Sequence, residues 1–212
     1  MTKIDGSRRQ LEVSKVERDL GVLVSDDLKV RAQVVSASST ANRTLGRLKK
    51  AFRSRSFNLW RMLYITYIRP QLEFAVQAWS PHLKADIAII EQVQHRATKT
   101  ISSIKHLTYE TRLKRLGLTT LEDRRVRGDI IEQFKITNKI DEINFYVPQN
   151  QPASQSMYNL RGHSRRLNRQ HVHGCEERHN FFSNRVVTPW NLLSQNTIDA
   201  PSLDVFKNRI SA

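Results

Sequence analysis

The sequence has no carboxylate between Asp27 and Glu73, although this interval is rich in lysine and arginine. A segment of this composition cannot neutralise itself with local ion pairs, so its cations either repel one another in water or meet phosphates. Each phosphate contact would be favoured by the release of counterions. The interval therefore predicts contact with a polyanion, and a merely solvated basic face is the alternative. Its cations are Lys29, Arg31, Arg43, Arg47, Lys49, Lys50, Arg53, Arg55, Arg61 and Arg69.

The whole composition points to the same class of partner. The 212 residues include 35 Lys and Arg against 20 Asp and Glu, which gives a formal net charge of +15. Nucleic acid is therefore the expected partner. Hydrophobic residues make up 39% of the chain, enough for one good core or two small ones. The single Cys175 excludes an internal disulfide. The first residues lack the apolar stretch of a signal peptide and no apolar run reaches the length of a membrane span, so we expect neither. We therefore expect a nuclear or cytoplasmic location and no membrane partner.

β-Branched residues cluster between residues 10 and 24, where they predict one or two short strands. The polar residues 25–27 that follow offer a turn and an N-cap for a helix. In this helix Leu45, Leu48 and Phe52 have the spacing of one face and are expected to be buried. A set of basic residues falls on another face, and such a ridge can lie along a phosphate backbone. These residues are Arg43, Arg47 and Lys50.

A second helix is predicted from about residue 57 toward residue 80, and Pro70 should kink or divide it. Five aromatic residues make this element the aromatic centre of the chain. We expect them in the hydrophobic core, with base stacking as the alternative. They are Trp60, Tyr64, Tyr67, Phe74 and Trp79.

Local signals predict further helices in the second half of the chain. Apolar residues recur every three or four positions between residues 85 and 104, which predicts one long amphipathic helix. A shorter basic helix is expected before Gly117, which would end it. Thr120 opens a capping box, so a helix should follow through Phe134. Two more short helices are expected around residues 186–193 and 202–210.

A cluster of histidine and cysteine side chains near residue 175 has the ligand types that zinc prefers, in the pattern H-x-H-x-C-x3-H. Four ligands within nine residues converge poorly on one ion, so ordinary loop histidines beside anion-binding arginines are the favoured alternative. The histidine and cysteine residues are His171, His173, Cys175 and His179. The neighbouring arginines are Arg165, Arg166 and Arg169.

The sequence offers no catalytic candidate. Asp26 and Asp27 form a carboxylate pair, but they lack the aromatic-x-Asp-Asp context in which a polymerase holds its two metals. A turn or capping role is the favoured interpretation. The chain also has no phosphate-binding loop of the Walker type, no nucleophile elbow and no H-E-x-x-H helix.

Several stretches of sequence occur in a fixed order along the chain. Their positions are 16–29 (VERDLGVLVSDDLK), 63–81 (LYITYIRPQLEFAVQAWSP), 113–125 (LKRLGLTTLEDRR) and 181–193 (FFSNRVVTPWNLL). They resemble parts of LINE-type, non-LTR retrotransposon reverse transcriptases of the jockey and chicken-repeat kind. The first stretch resembles the segment after the palm motifs of these enzymes, the next two resemble the thumb region and its continuation, and the last resembles the C-terminal tail. The second stretch resembles the pattern Y-x-x-x-V-R-P-x-L-E-Y-x-x-x-x-W-x-P, which is quite specific. One departure is Val30, where the family often has tryptophan.

The resemblance implies the back end of a reverse transcriptase. It implies residual palm strands in residues 1–30, a helical thumb-like domain in 31–143, a loop or linker in 144–180 and a helical tail in 181–212. The expected fold class is mainly α, a helical thumb-like bundle with a short N-terminal β segment and a small helical C-terminal tail. The fingers and the aspartates that bind magnesium would lie upstream. Magnesium is therefore expected only for the full-length parent, and this chain alone should need no cofactor and be inactive as a polymerase.

The expected function is that of a template–primer-binding fragment of an RNA-directed DNA polymerase. Its partners would be RNA, DNA or an RNA–DNA hybrid, held through phosphate contacts, with the missing polymerase portion as a further partner. A protein-interaction or scaffold module derived from a retrotransposon is the alternative. The residues expected to bind nucleic acid are Arg43, Arg47, Lys49, Lys50, Arg53, Arg55 and Arg61.

Overall fold

The computed structural model describes residues 13–143, residue 145 and residues 162–210. Helices dominate these ranges, with one two-stranded antiparallel sheet near the N-terminus and several short helices near the C-terminus. The prediction of a mainly α fold with a short N-terminal β segment is confirmed. None of the helices in these ranges is long and apolar enough to cross a membrane. Predictions that concern residues 1–12, 144, 146–161 and 211–212 lie outside the described residues.

The sheet is a hairpin of β1, Val16–Asp19, and β2, Val22–Ser25, in which Asp19 pairs with Val22. Its two-residue turn needs positive φ at both positions, and Leu20 (φ +44°) and Gly21 (φ +89°) supply it. The backbone N–H of Leu23 on the outer edge of β2 donates to Oε1 of Gln33 at 2.9 Å. This bond ties the hairpin to the first helix.

The first helix, α1, spans Arg31–Ala51. Asp27 stabilises the turn before it, accepting hydrogen bonds from Ser25 Oγ (2.7 Å) and from the Lys29 N–H (3.0 Å), which lower the pKa of Asp27 to about 2. The expectation that residues 25–27 cap the helix is wrong, because Val30 occupies the N-cap position. Leu45 is buried as predicted, but Phe52 lies beyond the end of the helix and is 36% exposed.

The predicted second helix is divided, as the proline suggested. It consists of α2, Phe57–Leu63, a π-helical segment, Tyr64–Ile68, and α3, Arg69–Glu73, which has Pro70 in its first turn. The chain then reverses at Ala75 (φ +49°) and enters α4, Val76–Trp79.

Only part of the predicted aromatic core is confirmed. Trp60, Tyr64 and Trp79 are buried, whereas Tyr67 and Phe74 are 53% and 55% exposed. The π-helical segment adds a residue to the turn, since the N–H of Arg69 bonds to the carbonyl of Tyr64. The reversal at Ala75 breaks the spacing a second time. Helical periodicity therefore does not carry across this region, and the prediction for Tyr67 and Phe74 is wrong.

The next helix, α5, spans Lys84–Thr98 and is shorter than predicted. The hydroxyl of Thr98 donates to the carbonyl of His95 (3.1 Å), and that of Thr100 donates to the carbonyl of Arg96 (3.1 Å). Such bonds from side chain to backbone compete with helix propagation. Ile101 and Ile104 are buried as expected, but they lie in the turns after the helix.

The two local helix signals that follow are confirmed. Helix α6, Tyr109–Leu116, ends at Gly117 in the left-handed conformation (φ +60°). Helix α7, Leu121–Thr137, begins with Thr120, whose hydroxyl accepts from the N–H of Asp123 at 3.0 Å. Ile130 and Phe134 on this helix are buried, whereas Val126 is exposed.

Five short helices complete the described chain. They are α8, Glu176–His179, α9, Phe182–Arg185, α10, Val187–Asn191, α11, Gln195–Ile198, and α12, Leu203–Arg209. Residues that precede α8 are hydrogen-bonded to these helices. The side chain of Asn191 bonds to both the N–H and the carbonyl of Leu167 (2.9 Å each). The N–H of Gln170 donates to Oδ1 of Asn184 at 3.0 Å.

The apolar side chains form two cores. The first contains residues of β2 and of the helices from α1 to α7, and the second joins the later half of α7 to the C-terminal helices. The second core includes a stacked ring pair, Phe134 and Phe206, with centroids 4.0 Å apart. Its buried members are Ile130, Phe134, Phe182, Val186, Trp190, Ile198, Ala200 and Phe206.

One guanidinium links the C-terminal helices to α7 and α4. Arg185 donates to both carboxylate oxygens of Asp129 (2.7 and 2.9 Å) and to the carbonyl of Gln77 (2.7 Å). Burial raises the pKa of Asp129, and the hydrogen bonds from Arg185 oppose that rise. A buried carboxylate of this kind is stable in the folded chain only while its cation is present.

Replacing Arg185 with methionine should lower the free energy of unfolding by about 3–5 kcal/mol, because the buried Asp129 carboxylate loses its hydrogen-bonded cation and keeps only the charge of Arg125 nearby. The folded variant would then hold a proton on Asp129 more tightly than the unfolded chain does. Its stability should fall as pH rises above the ordinary carboxyl pKa of about 3.9, so the loss should be smaller at about pH 5 than at about pH 8. Urea unfolding at both pH values measures this.

The matched control is Asp204→Asn, which removes a carboxylate from an exposed ion pair with Lys207 (3.4 Å). Its effect should stay within about 0.5 kcal/mol at both pH values. A loss for Arg185→Met that is as small as that of the control would contradict the structural role assigned to Arg185.

Candidate nucleic-acid interface

Helices α1 and α5 lie side by side and run in the same direction. Arg31 at the start of α1 pairs with Asp86 at the start of α5. Farther along, Arg96 Nη1 reaches Oδ1 of Asn42 at 3.4 Å. The C-terminal ends of both helices therefore lie together, and each carries the partial negative charge of its dipole.

We group the exposed cations in the C-terminal half of α1, just after it and at the end of α5 under one name, the basic surface. Four of its members belong to α1, and Arg53 follows that helix. The other two, Arg96 and Lys99, lie at the end of α5. Lys49, Arg96 and Lys99 also line a shallow cleft of about 420 Å³, together with Arg55 and Thr100. The basic surface consists of Arg43, Arg47, Lys49, Lys50, Arg53, Arg96 and Lys99.

The carboxylates of α5 do not neutralise this surface, because they are bound elsewhere. Asp86 pairs with Arg31 at the opposite end of the helix. Glu91 accepts from the hydroxyl of Tyr109 and from the N–H of Leu121 (3.0 Å). Within the described ranges, no salt bridge involves a member of the basic surface. The cations there remain available to an external anion.

The predicted ridge of α1 faces solvent. Arg43, Arg47 and Lys50 are all exposed, and their spacing places them on one side of the helix. Arg43 donates to the hydroxyl of Thr40 at 3.0 Å, whereas the side chains of Arg47 and Lys50 have no hydrogen-bond partner among the residues that the structure describes. Three of the predicted residues therefore lie in a row.

Arg55 borders the basic surface but is bound within the protein. Its guanidinium donates to the carbonyls of Phe52 (2.6 Å) and Lys49 (2.8 Å) and lies 4.7 Å above the ring of Trp60. It thereby caps the end of α1 and fixes the connection to α2. One edge of Arg55 still reaches the cleft.

Arg61 is placed differently from the other predicted residues. Its Nε donates to the carbonyl of Leu116 at 2.6 Å, at the C-terminal end of α6. Arg96 and Lys99 take part instead, although the sequence prediction did not include them. The sequence shows these two residues only as cations in the last turn of a predicted helix and just after it. They become neighbours of Lys49 because α5 packs against α1.

The cations of this region also affect the pKa of His95. Its partial burial, together with the cations Arg112 and Lys99, lowers the pKa of His95. The imidazole ring lies 5.0 Å from the ring of Tyr109. His95 is therefore a titrating reporter of the potential at the end of α5.

The histidine and cysteine residues considered for zinc binding lie just before α8 and at its end. The rings of His171 and His173 lie 6.3 Å apart, and Cys175 contacts Glu177 at 3.8 Å. In the described residues, no group of three or more His, Cys, Asp or Glu side chains could hold a metal ion. Asp27 is bound within its own turn, as described above.

Replacing Lys99 with glutamine should raise the pKa of His95, because one of the two cations that disfavour its protonated form is removed. NMR titration of the imidazole resonances measures this. His163 is the internal control, since its pKa is lowered by burial and by Arg166, and Lys99 does not contribute. An unchanged His95 pKa, or an equal rise at His163, would contradict the placement of Lys99.

No protein-family model, curated protein or solved structure matches this chain.

Proposed function

We propose that this chain binds nucleic acid through the basic surface, by contacts to phosphates rather than to base edges. The observation that carries the proposal is the meeting of two helix C-terminal ends whose cations have no carboxylate partner within the described ranges. Rows of exposed Lys and Arg neutralise a phosphate backbone but carry no sequence information. Binding should therefore be strong at low salt and similar for different sequences.

The number of cations sets the expected salt dependence. Each neutralised duplex phosphate contributes about 0.9 to the slope of log affinity against log salt concentration. If the five cations of the basic surface that lie on α1 or follow it directly all contact phosphates, the slope should be about −4.5. These five are Arg43, Arg47, Lys49, Lys50 and Arg53. A slope of this size would show that several phosphates are bound at once, whereas a single adventitious contact would give a slope of about −0.9.

The resemblance to reverse transcriptases narrows the proposed ligand. A thumb holds the template–primer, so the ligand would be RNA, DNA or an RNA–DNA hybrid, and binding would take place in the nucleus or the cytoplasm. Polymerase chemistry would belong to other parts of such an enzyme. The role of this chain would then be to hold the nucleic acid and not to react with it.

A protein-interaction role is the second candidate, and one observation favours it. Large apolar side chains are exposed around the hairpin: Leu20 is 90% exposed, Leu28 62% and Phe74 55%. Beside them lies a cavity of about 580 Å³ whose lining includes Leu20, Leu28, Trp79 and Phe181. An apolar surface of this kind suits a protein partner. The remaining portion of a polymerase would be one such partner.

The double replacement Arg47→Glu and Lys50→Glu should weaken binding to duplex RNA or DNA by at least about 10-fold. It should also reduce the salt slope by about 2, because two phosphate contacts are lost and two anions face the backbone. Fluorescence anisotropy with labelled duplexes, across a series of salt concentrations, measures both quantities.

The control has the same change in charge at the other end of α1. Lys15→Glu with Arg18→Glu alters the exposed hairpin, which lies roughly 25 Å along the helix from Lys50 at about 1.5 Å per residue. This variant should keep most of the affinity and the full slope. Equal losses in both variants would mean that net charge, and not the basic surface, is responsible. A folded chain that binds no nucleic acid at low salt would favour the protein-interaction role.

A further inference from the structure

Phe52 is a partly exposed aromatic residue that stands in the sequence among cations of the basic surface. It is the first residue after α1, in an extended conformation (φ −109°, ψ 115°), and 36% of it is exposed. Lys49 and Lys50 precede it and Arg53 follows it, and all three are exposed. An aromatic ring that is partly exposed among cations has no folding benefit from that exposure, since burial would stabilise the fold more.

The backbone on either side of Phe52 is held in place. Arg55 donates to the carbonyl of Phe52 itself, and the indole N–H of Trp60 donates to the carbonyl of Ser54 at 2.7 Å. The N–H of Ser102, from the turns after α5, donates to the carbonyl of Arg55 at 3.3 Å. The connector between α1 and α2 is therefore anchored to both neighbouring elements, and Phe52 is presented from a fixed support.

We propose that Phe52 stacks on an unpaired base, so that the basic surface binds single-stranded nucleic acid in preference to a uniform duplex. Every base has a π-face, so stacking on an aromatic side chain tolerates any sequence. In a duplex the base faces are already occupied by their neighbours, whereas a single strand offers them freely. The cations on both sides of Phe52 would hold the flanking phosphates. The inference rests on the proposed function, because it specifies the ligand of the same surface.

The test compares Phe52→Leu with wild-type protein, using a short single-stranded oligonucleotide and a blunt duplex of the same length. Leucine keeps an apolar side chain but removes the ring. The affinity for the single strand should fall by about 5- to 100-fold, as expected for the loss of one stacked base. The affinity for the duplex and the salt slope should not change, because no charge is removed.

A second measurement reports stacking directly. An oligonucleotide that contains 2-aminopurine should lose fluorescence when it binds wild-type protein and lose less when it binds Phe52→Leu. Phe74→Leu is the matched control, since Phe74 is also exposed but its ring lies beside Gly21 of the hairpin turn. This variant should behave as wild-type protein in both measurements. Thermal unfolding of each variant shows whether the fold is retained.

The possible results separate this inference from the proposed function. If Phe52→Leu leaves single-strand binding unchanged, or lowers single-strand and duplex binding equally, the stacking role is wrong. If Arg47→Glu with Lys50→Glu still weakens binding and reduces the salt slope in that case, the phosphate-binding function stands. A folded wild-type chain that binds neither probe would overturn both.

Discussion

The parallel packing of α1 against α5 is the constraint on which the basic surface depends. Two helices that run side by side in the same direction bring their negative dipole ends together, which is unfavourable unless cations lie there. Lys49 and Lys50 at the end of α1, and Arg96 and Lys99 at the end of α5, meet this need. At the N-terminal ends the helix dipoles are positive, and there Asp86 in the first turn of α5 supplies a negative charge and pairs with Arg31. Part of the cation cluster thus serves the fold itself.

The number of cations exceeds what the helix ends require. A cation near a helix C-terminus contributes about 0.3–1 kcal/mol, and the effect is confined to the last turn. Arg43 and Arg47 lie more than one turn before the end of α1, and Arg53 lies beyond it. Their mutual repulsion costs stability in water, and an external polyanion would relieve it. This excess is the physical reason to assign the surface to a ligand.

Local signals in the sequence predicted several helix boundaries, although the cap expected at residues 25–27 was wrong. The cap at Thr120, the helix end at Gly117 and the position of Pro70 in the first turn of α3 follow from the chemistry of those residues. The exposure of Tyr67 could not be foreseen, because a π-helical turn shifts the periodicity on which burial was predicted. The contribution of Arg96 to the basic surface could not be foreseen either, since it depends on which helix packs against α1.

Helix α7 belongs to both cores: Leu121 in its first turn packs in the first, and Ile130 and Phe134 pack in the second. Unfolding of the residues around either core would expose one half of this helix. The C-terminal helices and the N-terminal bundle therefore both depend on α7. Such sharing makes unfolding cooperative. The amide hydrogens of α7 are therefore expected to exchange among the slowest of the molecule, and only through opening of the whole fold.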